Sequence, residues 1–230
     1  MRVVIMGGTS GIGRAAAERL AGEGAEVIVT GRDPERLAEV KATVSAAEQV
    51  DGTDETQVRE FLERTGEFDH LVLAFSPGGI AMGPVAEVGA DDVRRMFEGK
   101  LFAYLAVIRL AQGRVRGSIT MVSSASARAA NPGTAVLAAV NGAIERTVPP
   151  LAAELAPVRV NAVAPGLIDT PWWSFVPEDQ RSATFGRFTR ELPVPRAGRS
   201  EEVADAIAYL VSSGYVTGTI LPVDGGATIS

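Results

Sequence analysis

Short β-branched runs alternate along the chain with stretches in which apolar residues recur at helical spacing. Val3-Val4-Ile5 precedes a helical Ala15 to Ala21, and Val27-Ile28-Val29 precedes Glu35 to Thr43, which is the grammar of βαβ units. Further strands are expected at Leu71-Val72-Leu73, Ser118 to Val122, Val158 to Val163 and Thr219 to Val223, with helices between them, the longest from Ala90 to Gln112. The strand runs are apolar without alternation, which predicts a parallel sheet buried on both faces. A helix is expected from about Thr134 to Ala156, and Pro149 and Pro150 inside it each remove a backbone donor at about 3 kcal/mol if truly interior. A kink or break is predicted there. The least regular stretch, Pro171 to Arg199, carries Trp172, Trp173, Phe175, Phe185 and Phe188 among charged residues. It reads as a segment covering a binding site, with a surface excursion packed on itself or on a second subunit as the alternative.

No repeat, low-complexity tract or linker divides residues 1–230, and 46% hydrophobic residues suffice for one core. The expectation is therefore a single α/β domain. No apolar run approaches the roughly 20 residues of a membrane span, and MRVVIM opens directly as a strand, so a soluble cytoplasmic protein without membrane contact is expected. Zero cysteines exclude disulfides, thiol nucleophiles and cysteine-ligated metal, and a single histidine argues against a histidine-rich metal site. That histidine, His70, reads as structural. A net charge of −6 gives no general attraction for nucleic acid, while leaving room for a local basic pocket.

The chemistry is concentrated at Gly7-Gly8-Thr9-Ser10-Gly11-Ile12-Gly13, which follows a strand directly and opens a helix. Such a turn lets backbone approach a diphosphate with no Cβ in the way, while the helix N-terminus offers free N–H groups and partial positive charge. The second strand ends Thr30-Gly31-Arg32. A carboxylate for the ribose 2′-OH is missing there, and the guanidinium of Arg32 can pair with a 2′-phosphate instead, which favours NADP(H) over NAD(H). Asp51, after a short third strand, can accept from an adenine amine or take part in capping the next helix near Thr53 and Asp54.

These residues, with Asn161-Ala162-Val163-Ala164-Pro165-Gly166, Thr170 and Val223-Asp224-Gly225-Gly226, resemble the short-chain dehydrogenase/reductase family over nearly the whole chain. The resemblance implies a Rossmann fold with a doubly wound, seven-stranded parallel sheet, hydride transfer at nicotinamide C4, and a homo-oligomer, dimer or tetramer. It places Pro165-Gly166 beside the nicotinamide, Thr170 at its carboxamide, and Thr9, Ser10, Ile12, Gly52, Ala74, Ser76 and Ile168 around the cofactor. The family's catalytic pattern is a serine, a tyrosine 13 residues later and a lysine four beyond. Ser124 fits the serine, but the other two positions hold Leu137 and Asn141. Leucine has no proton to give. Asn141 can hydrogen-bond the ribose hydroxyls without supplying charge. The family's active-site asparagine, on the preceding helix, aligns with Lys100. An ammonium there can replace the missing cation or act as the acid, with Tyr104 one turn on along the same face; the alternative has Lys100 on the surface and Tyr104 in the core.

Three functions stay open on these residues. One is an NADP(H)-dependent oxidoreductase acting on a small apolar substrate, such as an iminium or conjugated alkene, with its proton handled by Ser124, Lys100, water or the substrate. Another is non-redox isomerisation, elimination or cyclisation on the same fold. The last is an inactive NADP(H)-binding module.

Overall fold

The apolar runs form seven strands in a computed structural model that describes residues 1–229: β1 (Arg2–Met6), β2 (Glu26–Gly31), β3 (Ala46–Gln49), β4 (Phe68–Leu73), β5 (Val115–Val122), β6 (Arg159–Pro165) and β7 (Ile220–Val223). All neighbours pair in parallel, in the order β3-β2-β1-β4-β5-β6-β7. The chain winds outward from β1 to β3 and then restarts on the other side of β1 at β4. Crevices for ligands open at such a switch point, beyond the carboxyl ends of the strands.

Both faces of the sheet are covered, which is why the strand runs show no polar alternation. Val4, Met6, Leu71, Leu73 and Met121 pack with Phe61 and Leu62 of α3 (Glu55–Thr65), Val107 and Ile108 of α5 (Ala103–Ala111), and Val140 and Ile144 of α6 (Ala135–Glu154). On the other face, Val3, Ile5, Val27, Val29 and Val72 pack with Ala16 and Leu20 of α1 (Gly11–Gly22) and with Val203 and Ile207 of α8 (Ser200–Ser212). A run of small residues, Ala15-Ala16-Ala17, lets α1 lie close against α8. His70 is structural, as expected. It sits opposite Ser118 across the β4–β5 pair with Nδ1 2.8 Å from that hydroxyl, and burial lowers its pKa to about 4.

The remaining helices are α2 (Pro34–Val40), α4 (Ala90–Phe97) and α7 (Glu178–Thr189), and three expectations need correction. The predicted helix Ala90 to Gln112 is not uniform, because α4 and α5 are joined by a π-helical turn over Glu98–Phe102. Of the kink or break predicted at Pro149 and Pro150, the break is absent, since α6 runs through both as one element. Both prolines are exposed, so water can take over the carbonyls that they leave without a donor. The stretch Pro171 to Arg199 is not structureless. It holds a 3₁₀ turn (Pro171–Trp173) and α7, whose mostly polar sequence, with no side-chain cap at its start, hides its helical character.

Candidate active site

One cavity of about 740 Å³ lies along the carboxyl ends of the strands and runs from Arg32 and Asp51 to Lys100, Leu137 and Trp172. Its middle is the glycine turn. Gly7 and Gly11 have φ of 85° and 50°, where L side chains are strained. At Gly13 an added Cβ would stand 2.1 Å from the Gly7 carbonyl oxygen, so only glycine fits. Gly7 and Gly8 donate to Thr30 O at 3.0 and 3.1 Å, which hooks the turn onto the end of β2. Ser10 precedes α1 in extended conformation and makes no side-chain cap, so the first amides of the helix are left to the cavity. Thr9 packs beneath Gly31, Ile12 lines the cavity, and Thr170 lies against Gly11, bringing the far loop over the turn.

Arg32 is exposed at one end, with no carboxylate within ion-pair reach among the described residues. Asp33 is engaged in starting α2, accepting from the amides of Glu35 and Arg36 at 3.0 and 3.3 Å. Arg36, which the sequence reading missed, lines the same end one helical turn after Arg32. Asp51 is not the cap of α3, since Asp54 fills that place. Its Oδ1 accepts from Thr53 N and Oγ1 at 2.9 and 2.8 Å. Gly52 lies beneath the Phe75 ring, Ala74 extends β4 by donating to Met6 O at 2.9 Å, and the Ser76 hydroxyl accepts from Gly78 N at 3.2 Å. Pro165 and Gly166 close β6 against Asp224. Ile168 is buried and its carbonyl accepts from Trp173 Nε1 at 3.1 Å.

The other end is built from side chains. Lys100 is 7% exposed, which overturns a surface position for it. The π turn carries it inward from the α4–α5 helix, and Nζ donates to Asn141 Oδ1 at 2.7 Å and reaches Ser123 O at 3.4 Å. Among the described residues no carboxylate pairs with it, and burial brings its pKa down to about 7. Asn141 is held on both sides, because its amide nitrogen donates to Leu137 O at 2.8 Å and reaches Ser126 Oγ at 3.4 Å. Ser124 caps a 3₁₀ turn (Ala125–Ala127) through its hydroxyl, which accepts from Ser126 N at 3.2 Å. Tyr104 belongs to the core. It is 1% exposed, its hydroxyl lies 2.8 Å from Leu73 O and 3.0 Å from Phe75 O, and burial raises its pKa well above the usual value.

Sequence reasoning also missed Ser123, Ser126 and Glu145. Glu145 is buried one turn past Asn141, accepts from Ser123 Oγ at 2.9 Å and pairs with Arg128 at 3.2 Å, tying the loop after β5 to α6. The signal available was its spacing, since i and i+4 share a helix face. Leu137, Met82, Met96, Trp172, Trp173 and Phe188 give this end apolar walls. Trp173 lies 5.5 Å from the Phe185 ring, and Phe185 and Phe188 share one side of α7. Among the described residues no His, Cys, Asp and Glu cluster suited to a metal occurs, and no helix is long and apolar enough to cross a membrane.

A family profile described as enoyl-(acyl carrier protein) reductase matches residues 7–228. Curated relatives include a glucose 1-dehydrogenase of Gluconobacter oxydans, 32% identical over 99% of this chain and 92% of its own length. A 3-oxoacyl-(acyl-carrier-protein) reductase of Thermotoga maritima is 33% identical, over 98% of this chain and 97% of its own. Among solved structures, a small-chain dehydrogenase in complex with NADPH superposes with a TM-score of 0.85 at 32% identity, covering 100% of this chain and 99% of that one. With this sheet order, this glycine turn and matches that span the whole fold, the chain belongs to the short-chain dehydrogenase/reductase family of NAD(P)-dependent oxidoreductases.

Proposed function

We propose that the chain is an NADP(H)-dependent reductase of small, largely apolar substrates, in which Lys100 supplies the proton that the family ordinarily takes from a tyrosine. The observation that carries this reading is the Lys100–Asn141 pair. Its ammonium reaches the site from the π turn, while α6 presents the amide. An asparagine and a lysine are both present, exchanged between the two helices relative to the family pattern, and Leu137 leaves apolar space where a phenol would stand.

The residues of the cavity fit a dinucleotide phosphate. The glycine turn and the uncapped start of α1 would hold the diphosphate, and Arg32 with Arg36 would face the 2′-phosphate. Pro165, Gly166 and Thr170 would border the nicotinamide, which when bound supplies the hydride. Arg36, which lines this end and pairs with Asp33 at 3.4 Å, would add a second guanidinium in support of NADP(H) over NAD(H). The segment from Pro171 to Arg199 would close over the substrate through Trp172, Trp173 and Phe188.

Proton counting assigns Lys100 its task. A charged amine has three N–H donors. Two are aimed at Asn141 Oδ1 and Ser123 O, which leaves one for a substrate oxygen. Giving that proton away leaves a neutral amine that keeps both protein bonds, and the dry surroundings favour the neutral form. Ser124 and Ser126 would orient the same oxygen.

Stereospecifically deuterated NADPH offered with a panel of apolar carbonyl compounds, iminium ions and conjugated alkenes tests the reading. Label should reach a product with the native chain and fall sharply with Lys100→Met. A panel that yields no labelled product, or a Lys100→Met variant as fast as the native chain, would sink it.

A further inference from the structure

Arginine supplies nearly every positive side chain of this protein. Of its 22 lysines and arginines only Lys41 and Lys100 are lysines, and Lys41 is exposed at the end of α2. The difference matters chemically. A guanidinium keeps its proton and has no lone pair to offer, whereas a desolvated amine sheds its charge and becomes a nucleophile. One of the two lysines thus stands where burial favours the uncharged amine, in a cavity walled by Leu137, Met82, Met96 and Trp172.

The hydrogen bonds fix where the lone pair lies. Of the four directions around Nζ, Cε takes one, and the two protons of a neutral amine are aimed at Asn141 Oδ1, at 2.7 Å, and Ser123 O, at 3.4 Å. The fourth holds the lone pair, and the cavity that Lys100 lines is the space before it. Asn141 keeps its acceptor in place because its amide nitrogen is tied to Leu137 O at 2.8 Å. Neither acceptor carries a charge that would hold the proton on the amine. The buried carboxylate of Glu145 is engaged by Ser123 Oγ and Arg128 instead.

We propose that Lys100 is also a nucleophile, and that the site captures small apolar aldehydes as a protonated Schiff base on Nζ with no nucleotide bound. The amine attacks the carbonyl carbon to form the C–N bond, and the C–O bond breaks. The oxygen leaves as water with two of the three protons of the ammonium. The third stays on the iminium nitrogen, where Asn141 Oδ1 can accept it. The step is redox-neutral, and water reverses it. The proposal rests on the reading of Lys100 as the reacting group of this site, and adds a covalent activity to proton donation.

Hexanal and cyanoborohydride, which reduces the iminium to a stable secondary amine, are added to the nucleotide-free chain near neutral pH, and peptide mass spectrometry compares Lys100 with Lys41. Lys100 should be alkylated about tenfold faster or more, although Lys41 is the more exposed. Asn141→Asp, which puts a carboxylate beside the amine and holds it charged, should slow Lys100 about tenfold and leave Lys41 unchanged. A native chain alkylated at Lys41 and not at Lys100, or at both alike, overturns the capture, as does an Asn141→Asp variant that reacts at Lys100 like the native chain. Because no NADPH is present, absent capture leaves reduction with Lys100 as the acid standing, and absent transfer of label from deuterated NADPH leaves the capture standing.

Discussion

The two ends of the cavity are made of different material. The nucleotide end is mostly backbone: Gly7, Gly8 and Gly13, where a Cβ finds no room, the first amides of α1, and the carboxyl ends of β1, β2 and β4. The end near Lys100 is mostly side chain, and its central contact joins residues 41 positions apart on two helices. Backbone sites tolerate little change, since no substitution can supply a missing peptide dipole. Side-chain sites are interchangeable, since an ammonium can enter one space from either of two helices. On the proposed assignment of Lys100, the contrast would explain how the chain keeps its family's frame while drawing its charged group from another helix.

The largest effect that would break this contrast is expected at Gly13. Gly13→Ala drives a Cβ toward the Gly7 carbonyl and should cost about 3 kcal/mol of dinucleotide binding, roughly a hundredfold in Kd, read by nucleotide titration. A native-like Kd would show that the turn is not a phosphate cradle. Lys100→Met should lower kcat by about a hundredfold or more with little change in NADPH affinity. The same variant should be more stable at pH 6 by about 2 kcal/mol, because a lone buried ammonium is removed; chemical denaturation measures this.

The pH dependence follows from the direction of that shift. In the unfolded chain Lys100 keeps its proton up to its ordinary 10.5, whereas in the fold it loses it near 7, so the unfolded state binds more protons between these values. Native stability should therefore rise from about pH 7 to 10.5, and Lys100→Met should flatten the rise. Reductive turnover should move oppositely, falling as pH rises through about 7. Exchange of Lys100→Asn with Asn141→Lys should retain more activity than either single change, and a double variant as poor as the worse single one would show that the two helices are not equivalent sources of charge. A smaller effect is expected from Arg36→Ala, about threefold weaker NADPH with NADH unaffected.

The sheet was readable because burial on both faces writes uninterrupted apolar runs such as Val3-Val4-Ile5 and Val27-Ile28-Val29, and the glycine turn because a steric demand leaves glycine no substitute. The direction of Lys100 was not readable, since it depends on a π turn that has no sequence signature of its own. α7 escaped for want of an apolar stripe, having only Phe185 and Phe188 on its inner side. The continuity of α6 through Pro149-Pro150 depends on exposure, which no local pattern conveys. The contact of the Phe75 ring with Gly52 joins the loop after β4 to the loop after β3, and neither residue is unusual alone.

The π turn over Glu98–Phe102 has a consequence for how this chain tolerates gain and loss of residues. A π turn is an α-helix holding one residue too many, so a single deletion between 98 and 102 would restore a plain helix without breaking it. The segment before the deletion would then rotate by about 100° against α5. Met96, now buried against the core, would swing away, and the lysine would lose its alignment with Asn141. A one-residue change in length here acts as a rotary adjustment of the Lys100 end of the cavity, with the seven strands left in register.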